Sequence, residues 1–194
     1  MRTIIFATNN QNKVNEIRSL TGGHFNIITL KDAGIDIDIP EPHLTLEANA
    51  SEKSSVIHQL TKKDCFGEDT GLEVESLNGE PGVKSARYAG DEKDPEKNID
   101  KLLLCLQNSL NRHARFRTII SLVFENKEYI FEGICEGEII KERRGGQGFG
   151  YDAVFVPTGS NKSFAEMNMN EKNIFSHRKK ATQQLIDFLK TKNK

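Results

Sequence analysis

Two adjacent acids, Glu68 and Asp69, lie where an apolar segment of the sequence ends, and Thr70 and Gly71 follow them directly. Carboxylates at the end of a strand are typical metal ligands and general bases, because their oxygens bind hard cations and accept protons. The pair therefore predicts Mg²⁺ binding, with one carboxylate activating a water molecule. A solvated acidic turn is the alternative. Glu41 is a further candidate metal ligand, although the sequence does not bring it close to the pair.

A polar segment, Thr8–Lys13, follows the first apolar run and precedes a helical pattern. The start of a helix exposes free backbone N–H groups and the positive end of the helix dipole, and both suit a phosphate. Lys13 adds a full charge, and the asparagines add donors. The segment lacks the GxxxxGK[ST] pattern of a Walker loop. An ordinary polar loop is the alternative.

A glycine-rich segment has the residue types that accommodate a nucleobase. Gly145–Gly150 contains four glycines in six residues, which lets a backbone approach a ligand closely. Phe149 and Tyr151 have ring faces on which a base can stack, and Asp152 can accept hydrogen bonds from a base or ribose. A mobile connection between strands is the alternative.

A basic cluster lies near the C-terminus, at Lys172 and Ser176–Lys180. Ser176 is a candidate N-cap, which places His177 and Arg178 in the first turn of the last helix. Positive charge there opposes the helix dipole unless an anion or a base is held nearby, so the pattern favours a binding role over a solvated basic face.

Alternating strands and helices are predicted to position these segments, and a βαβ-like opening favours an α/β fold. Thr45 and Asp94-Pro95 are predicted to start helices, and Asn126-Lys127 to turn a hairpin. Predicted strands are Thr3–Ala7, Phe25–Leu30, Leu72–Leu77 (before the turn Asn78-Gly79), Phe116–Glu125, Glu128–Ile140 and Ala153–Val156; predicted helices are 14–20 (ended by Gly22-Gly23), 45–60, 94–106 and 176–190.

Composition limits the classes of function. At 194 residues, the chain is expected to be a single domain, 1–194. A net charge of −1, from 27 basic and 28 acidic residues, gives no reason to expect a nucleic acid or a membrane as partner. Cys65, Cys105 and Cys135 lack metal-binding spacing and are expected to be reduced core thiols. No apolar run approaches the roughly 20 residues of a membrane span, so a cytoplasmic protein is expected.

Taken together, five blocks of the sequence resemble the inosine triphosphate pyrophosphatase (Ham1/RdgB-like) family over nearly the whole chain. The resemblance implies an elongated two-lobed α/β fold around a long mixed β-sheet with flanking helices, a nucleotide in the inter-lobe cleft, and a homodimer. It also implies Mg²⁺-dependent hydrolysis of ITP, dITP or XTP to the monophosphate and pyrophosphate. The blocks are Ala7–Lys13 with Glu16, Glu68–Leu72, Pro81-Gly82 with Ser85–Gly90, Gly148–Asp152, and Lys172 with Ser176–Arg178.

The resemblance also assigns roles by position. Asp69 is similar to the family's general base and metal-associated acid, and Lys53 to a phosphate contact. His177 and Arg178 are expected to face the 6-oxo group of the base. The substrate-binding residues that it implies are Thr8, Asn9, Asn10, Gln11, Asn12, Lys13, Lys53, Thr70, Phe149, Gly150, Tyr151, Asp152, Lys172, His177 and Arg178.

Two other functions remain open on the residues. A nucleotide-binding module without catalysis is one, but such a module has no need of a water-activating carboxylate at Asp69. A Maf-type nucleotide pyrophosphatase, acting on modified pyrimidine or methylated nucleotides, is the other. The blocks Ser85–Gly90 and Ser176–Arg178 argue against it.

Overall fold

A computed structural model describes residues 2–21 and 25–192 of the chain. Within these residues, seven strands form one mixed sheet in the order β2-β1-β3-β5-β6-β7, with β4 paired to β3, and five α-helices accompany it. The elements are β1 Thr3–Phe6, α1 Gln11–Thr21, β2 Asn26–Thr29, α2 Leu46–Thr61, β3 Cys65–Val74, β4 Pro81–Gly82, α3 Pro95–Cys105, β5 His113–Phe124, β6 Lys127–Ile139, β7 Phe155–Pro157, α4 Met169–Phe175 and α5 His177–Lys192.

Strand pairing confirms the mixed α/β fold. β1 runs parallel to β2 and to β3, with Ile5 opposite Cys65 and Phe6 opposite Phe66. β4 is antiparallel to β3, and β7 is antiparallel to β6. Parallel neighbours need a crossover, and α1 and α2 supply the crossovers that lead to β2 and β3.

The chain divides into two compact units, and the division falls within β3, β5 and β6 and after the first residue of α5. Unit 1 consists of the described parts of 1–69, 118–133 and 178–194, and unit 2 of 70–117 and 134–177. Asp69 therefore belongs to unit 1 and Thr70 to unit 2. Unit 1 has two apolar clusters, one with Phe6, Phe66 and Leu185 and one with Leu30 and Ile57.

Unit 2 has its own apolar core. Leu72, Leu102, Phe116, Phe155 and Phe164 are buried in it, together with other residues of α3, β5 and β7. The rings of Phe116 and Phe155 meet edge to face with centroids 4.7 Å apart. Large buried rings in favourable orientations are a strong packing contribution, so unit 2 has a rigid base for the residues that it carries.

The capping predictions for Thr45 and Asp94 are confirmed. The side chain of Thr45 accepts a hydrogen bond from the N–H of Ala48 at 3.2 Å, and α2 begins at Leu46. Asp94 accepts from the N–H groups of residues 96 and 97, with Pro95 in the first turn of α3. The last helix begins at His177, directly after Ser176, as predicted.

Several predicted boundaries are wrong. α1 begins at Gln11 rather than 14, because Asn10 accepts hydrogen bonds from the N–H groups of residues 12 and 13. The hairpin turns at Glu125-Asn126, one residue early, where both φ angles are positive (50° and 61°). α4 was not predicted, and its start is a capping box of Asn168 and Glu171. The predicted helix end at Gly22-Gly23 lies outside the described residues.

β3 contradicts the prediction made for the acidic segment. It runs unbroken from Cys65 to Val74, so Glu68 and Asp69 lie inside a strand rather than at its end, and Glu75–Leu77 is a 3₁₀ turn. Both acids are buried, at 1% and 7% exposure. Buried carboxylates need partners, which points to cations close to this strand.

Two further observations concern the surface. Cys65 and Cys135 are buried thiols as expected, but Cys105 is exposed, because it occupies the outer face of α3 at its last turn. In the part of the chain that the structure describes, none of the helices combines the length and the apolar character that crossing a bilayer requires.

Candidate active site

Asp69, in unit 1, lies between the ammonium of Lys53 and the side-chain amide of Asn49. Its Oδ1 accepts a hydrogen bond from the Nζ of Lys53 at 3.0 Å, and its Oδ2 lies 3.4 Å from the Nδ2 of Asn49. Burial raises the pKa of Asp69 above its usual value, and Glu41 adds to this rise, while Lys53 and Lys13 oppose it. A carboxylate with a raised pKa is better suited to accept a proton near neutral pH.

Lys53 brings two carboxylates to one point. Its Nζ donates to Asp69 Oδ1 at 3.0 Å and to the backbone carbonyl of Glu68 at 3.1 Å, and it lies 2.5 Å from Glu41 Oε1. The structure thus unites Glu41 with Asp69, which the sequence alone did not. Burial lowers the pKa of Lys53, but the charges of Asp69 and Glu41 outweigh it, so the pKa is raised and the side chain is a cation.

Gly67 allows this arrangement. A Cβ on Gly67 would lie 2.4 Å from the carbonyl oxygen of Ala50 and 2.7 Å from the Cβ of Lys53. The missing side chain therefore lets α2 lie directly against β3. This close approach is what places the ammonium of Lys53 on Asp69.

Asn49 is a residue of the site that the sequence reasoning missed. It is 1% exposed, and its amide bonds both the N–H (3.0 Å) and the carbonyl (3.2 Å) of His43. The same amide reaches Asp69, so Asn49 ties the segment that carries Glu41 to the strand that carries Asp69. Its spacing from Lys53, four residues along α2, puts both side chains on one helix face and was the available signal.

Glu68 has a different set of partners from its neighbour. The guanidinium of Arg178 meets both of its oxygens, at 3.1 and 3.2 Å, and meets Glu16 with another nitrogen. The Nζ of Lys13 lies 3.4 Å from Glu68 Oε1. Burial opposes the charge on Arg178, but Glu68 and Glu16 outweigh it and raise its pKa. Glu68 is therefore held in a buried ion network, while Asp69 faces Lys53.

Thr8–Lys13 lies at the N-terminus of α1. Thr8 Oγ1 accepts from the N–H of Asn10 at 3.1 Å, and Asn9 donates to the carbonyl of Ile37. Asn9, Asn10, Gln11 and Asn12 are exposed at this end of the helix. Burial lowers the pKa of Lys13, although Glu68 raises it. An exposed helix N-terminus beside a lysine can hold an anion.

Unit 2 contains the glycine-rich segment with Lys172. The Nζ of Lys172 lies 2.7 Å from Asp152 Oδ2, and both residues are buried. The same ammonium lies 5.2 Å from the ring centroid of Phe149, whose N–H donates to Asp152 at 2.9 Å. Gly148 is required here, because its φ is +80° and a Cβ would lie 2.1 Å from Asp152 Oδ2.

The aromatic residues of unit 2 have distinct environments. Tyr151 is buried, and its hydroxyl donates to the carbonyl of Ser85 at 2.8 Å, so it anchors the 3₁₀ turn Ser85–Arg87. Burial raises the pKa of Tyr151, so the phenol is neutral. His177 is buried and stacks on Phe116, with centroids 4.7 Å apart. Phe149 is only partly buried, unlike Tyr151 and His177.

The predicted residues thus fall into two groups. Unit 1 brings together Glu41, Lys53 and Asp69, with Lys13 and Arg178 joined through Glu68. The guanidinium of Arg178 contacts carboxylates of unit 1, so its assignment to the base stays a prediction. Unit 2 holds Thr70, Phe149, Gly150, Tyr151, Asp152, Lys172 and His177.

The donors of unit 1 fit a magnesium ion bound together with phosphate. Glu41 and Asp69 already converge on one cation, the ammonium of Lys53. Mg²⁺ is usually held by one or two carboxylates, with water and substrate phosphates as its other ligands. The described residues do not contain a cluster of three or more His, Cys, Asp or Glu side chains able to hold a metal.

This α/β protein, with carboxylates and cations beside a helix N-terminus, has the chemistry to bind a phosphate ester and a hard cation. Comparison with known proteins identifies the family. The model of the Ham1 family matches residues 4–188, and the chain belongs to that family.

Relatives and solved structures agree with this. Proteins named dITP/XTP pyrophosphatase are 49% identical in Flavobacterium johnsoniae (96% of this chain, 97% of the relative) and 48% identical in Porphyromonas gingivalis (97% and 98%). The Ham1 protein of Staphylococcus aureus has a TM-score of 0.90 at 37% identity, over 98% of this chain and 100% of that one. A nucleoside-triphosphatase, dITP/XTP pyrophosphatase, from Mycobacterium abscessus has a TM-score of 0.78 at 34% identity, over 94% and 98%.

Proposed function

We propose that this protein hydrolyses the non-canonical purine nucleoside triphosphates ITP, dITP and XTP to the monophosphate and pyrophosphate. Membership of the Ham1 family and relatives named dITP/XTP pyrophosphatase support the substrate class. The observation that carries the chemistry is the buried Asp69, whose raised pKa and contact with Lys53 suit a base acting beside phosphate. The proposed hydrolysis removes these nucleotides from the cellular pool.

The triphosphate is assigned to unit 1. The N-terminus of α1 offers N–H groups and the side chains of Thr8–Lys13, and Lys53 adds a second ammonium. The ion network of unit 1 has three cations against four carboxylates, so it is close to neutral by itself. A triphosphate brings about four further negative charges, which need a divalent cation for compensation.

Magnesium is the proposed cofactor, and Glu41 and Asp69 are the residues that would hold it with a phosphate oxygen. Bound there, it would neutralise charge on the phosphates and favour departure of pyrophosphate. The network of Arg178, Glu16 and Glu68, with Lys13, keeps helix α1 and strand β3 together. It thereby holds Asp69 and Lys13 in fixed positions, which lowers the entropic cost of the reaction.

Asp69 orients a water molecule and accepts its proton as the oxygen attacks the α phosphorus. The bond from that phosphorus to the bridging oxygen breaks in line, and pyrophosphate leaves with the electron pair. Lys13 and Lys53 compensate the charge that develops on the phosphate oxygens. Asn49 holds the other oxygen of Asp69 and so limits its rotation.

The base and ribose are assigned to unit 2. Phe149 offers a ring face, Asp152 an acceptor, and Lys172 and His177 donors for an oxo group. Adenine has an amino group at position 6, which would leave such donors without an acceptor. Thr70 follows Asp69 directly in β3 and is assigned to the phosphate end, whereas a role of Arg178 in base recognition depends on a change of its carboxylate partners.

Turnover of a nucleotide panel tests the function. We expect pyrophosphate release from dITP, ITP and XTP with kcat/KM at least about 10²-fold above that of dATP. Hydrolysis in ¹⁸O-labelled water is expected to label the monophosphate and leave pyrophosphate unlabelled. Binding without turnover would instead indicate a binding module, and preference for modified pyrimidine nucleotides a Maf-type enzyme.

Organisation of the protein completes the proposal. We propose that residues 1–194 act as a single functional domain, which the family match over 4–188 supports because it includes both units. A homodimer and a cytoplasmic location are proposed on the family resemblance and on a substrate drawn from the nucleotide pool. Sedimentation equilibrium tests the dimer, and cell fractionation tests the location.

A further inference from the structure

The ammonium of Lys53 has used its full donor capacity inside unit 1. A protonated lysine has three N–H donors, and Lys53 has three oxygen partners within 3.1 Å: Glu41 Oε1, Asp69 Oδ1 and the carbonyl of Glu68. The residue is 7% exposed, so water is not its main partner. Its position is defined by these three oxygens.

Two of these partners are the carboxylates assigned to the metal. A divalent cation that binds Glu41 and Asp69 must approach the same oxygens that the ammonium contacts. Two cations in contact with the same carboxylates are close enough to repel each other strongly. Likewise, Lys53 can donate to a substrate phosphate only if it releases one of its three acceptors. Binding of the metal to the carboxylates and movement of the Lys53 ammonium to a phosphate oxygen are therefore coupled: each requires the ammonium to release a carboxylate.

We propose that Lys53 is an internal counter-cation, which occupies the Glu41–Asp69 carboxylate pair until the metal arrives together with the nucleotide. It keeps the pair compensated in the empty protein and suppresses binding of the metal alone. When the nucleotide is present, a phosphate offers the ammonium a new acceptor and the carboxylates become available. This inference rests on the proposed function, because it assigns the order of ligand binding at the same site.

The proposal predicts changes of opposite sign in one variant. Lys53→Met removes the competing cation. Without nucleotide, the variant should therefore bind Mg²⁺ at least about tenfold more tightly than the wild type does. The same variant lacks a phosphate contact and should hydrolyse dITP more slowly. A residue that only supported the fold would weaken both properties.

Isothermal titration calorimetry with MgCl₂ in the absence of nucleotide measures this. Lys53→Gln is titrated beside Lys53→Met, so that the result does not depend on the folding of one variant. Lys13→Met is the comparison variant, because Lys13 contacts Glu68 and acts on Asp69 only through its charge, so it should gain clearly less Mg²⁺ affinity than Lys53→Met. Lys53→Arg retains a cation, so its Mg²⁺ affinity should stay as weak as that of the wild type. Adding Glu41→Gln to Lys53→Met removes one of the two metal ligands and should abolish the gain in Mg²⁺ affinity.

Wild-type protein provides a second measurement that needs no variant. Its thermal unfolding temperature should not rise with 10 mM Mg²⁺ alone, but should rise when a non-hydrolysable dITP analogue is added with the metal. A clear rise with Mg²⁺ alone, or an unchanged Mg²⁺ affinity in the Lys53→Met and Lys53→Gln variants, overturns the inference. Hydrolysis of dITP by the wild type is scored separately, so a failure of the proposed function is distinguishable from a failure of this one.

Discussion

The two units bury charge in different ways. In unit 1, Lys13, Lys53 and Arg178 meet the carboxylates of Glu16, Glu41, Glu68 and Asp69 in a network that joins α1, α2, β3 and α5. In unit 2, Lys172 pairs with Asp152 among aromatic rings.

This difference indicates a division of labour. A network of charges is expensive to bury and is stable only when each charge has a partner, but it can exchange partners with a phosphate or a metal ion. Aromatic surroundings with an ion pair suit a flat ligand that has a few polar edges. We therefore assign phosphate chemistry to unit 1 and base recognition to unit 2.

The largest expected effect is on stability, when one cation of each unit is removed. Arg178→Met leaves Glu16 and Glu68 buried without their guanidinium and should lower the free energy of unfolding by about 3–5 kcal/mol. Lys172→Met should lower the free energy of unfolding by about 1–3 kcal/mol, because Asp152 still accepts the hydrogen bond from the N–H of Phe149. Urea denaturation of both variants measures this. Equal losses would contradict the view that unit 1 depends more on its ion network.

The sequence predicted local features of both units, because the partners are neighbours in the chain. Thr45 and Asp94 cap helices whose first N–H groups lie two or three residues away. Glu68 and Asp69 were predicted at the end of a strand, with a solvated acidic turn as the alternative, whereas both are buried inside β3. Their partners are far away in sequence: Arg178 is 110 residues from Glu68, and Lys53 is 16 residues from Asp69. Residue types alone do not specify such pairings.

The next effect is on substrate binding in unit 2. Phe149→Ala removes the ring face proposed for the base and should raise KM for dITP about tenfold with little change in kcat, since stacking contributes roughly 1–3 kcal/mol per base. Phe188→Ala, which removes a ring from the apolar cluster of unit 1, is the comparison variant. Initial-rate kinetics measure both. A fall in kcat without a change in KM for Phe149→Ala would argue against stacking.

A smaller effect is the pH dependence of stability that Asp69 causes. Its pKa is raised in the folded protein, chiefly by burial. Such a carboxyl contributes stability that is complete below the unfolded pKa and is lost as the pH rises through the folded pKa. We expect metal-free wild type to lose stability relative to Asp69→Asn as the pH rises from about 4 towards neutrality. Urea denaturation across this range measures it, and a relative gain would show that its cationic partners outweigh burial.

The most direct test of the division of labour compares the same loss of charge in each unit. Asp69→Asn and Asp152→Asn are assayed for kcat/KM with dITP and with dATP. We expect Asp69→Asn to lower both values by about 10²–10⁴-fold and to leave their ratio unchanged. Asp152→Asn should lower the preference for dITP, because it releases Lys172 from its partner. A changed ratio in Asp69→Asn, with an unchanged ratio in Asp152→Asn, would contradict the account.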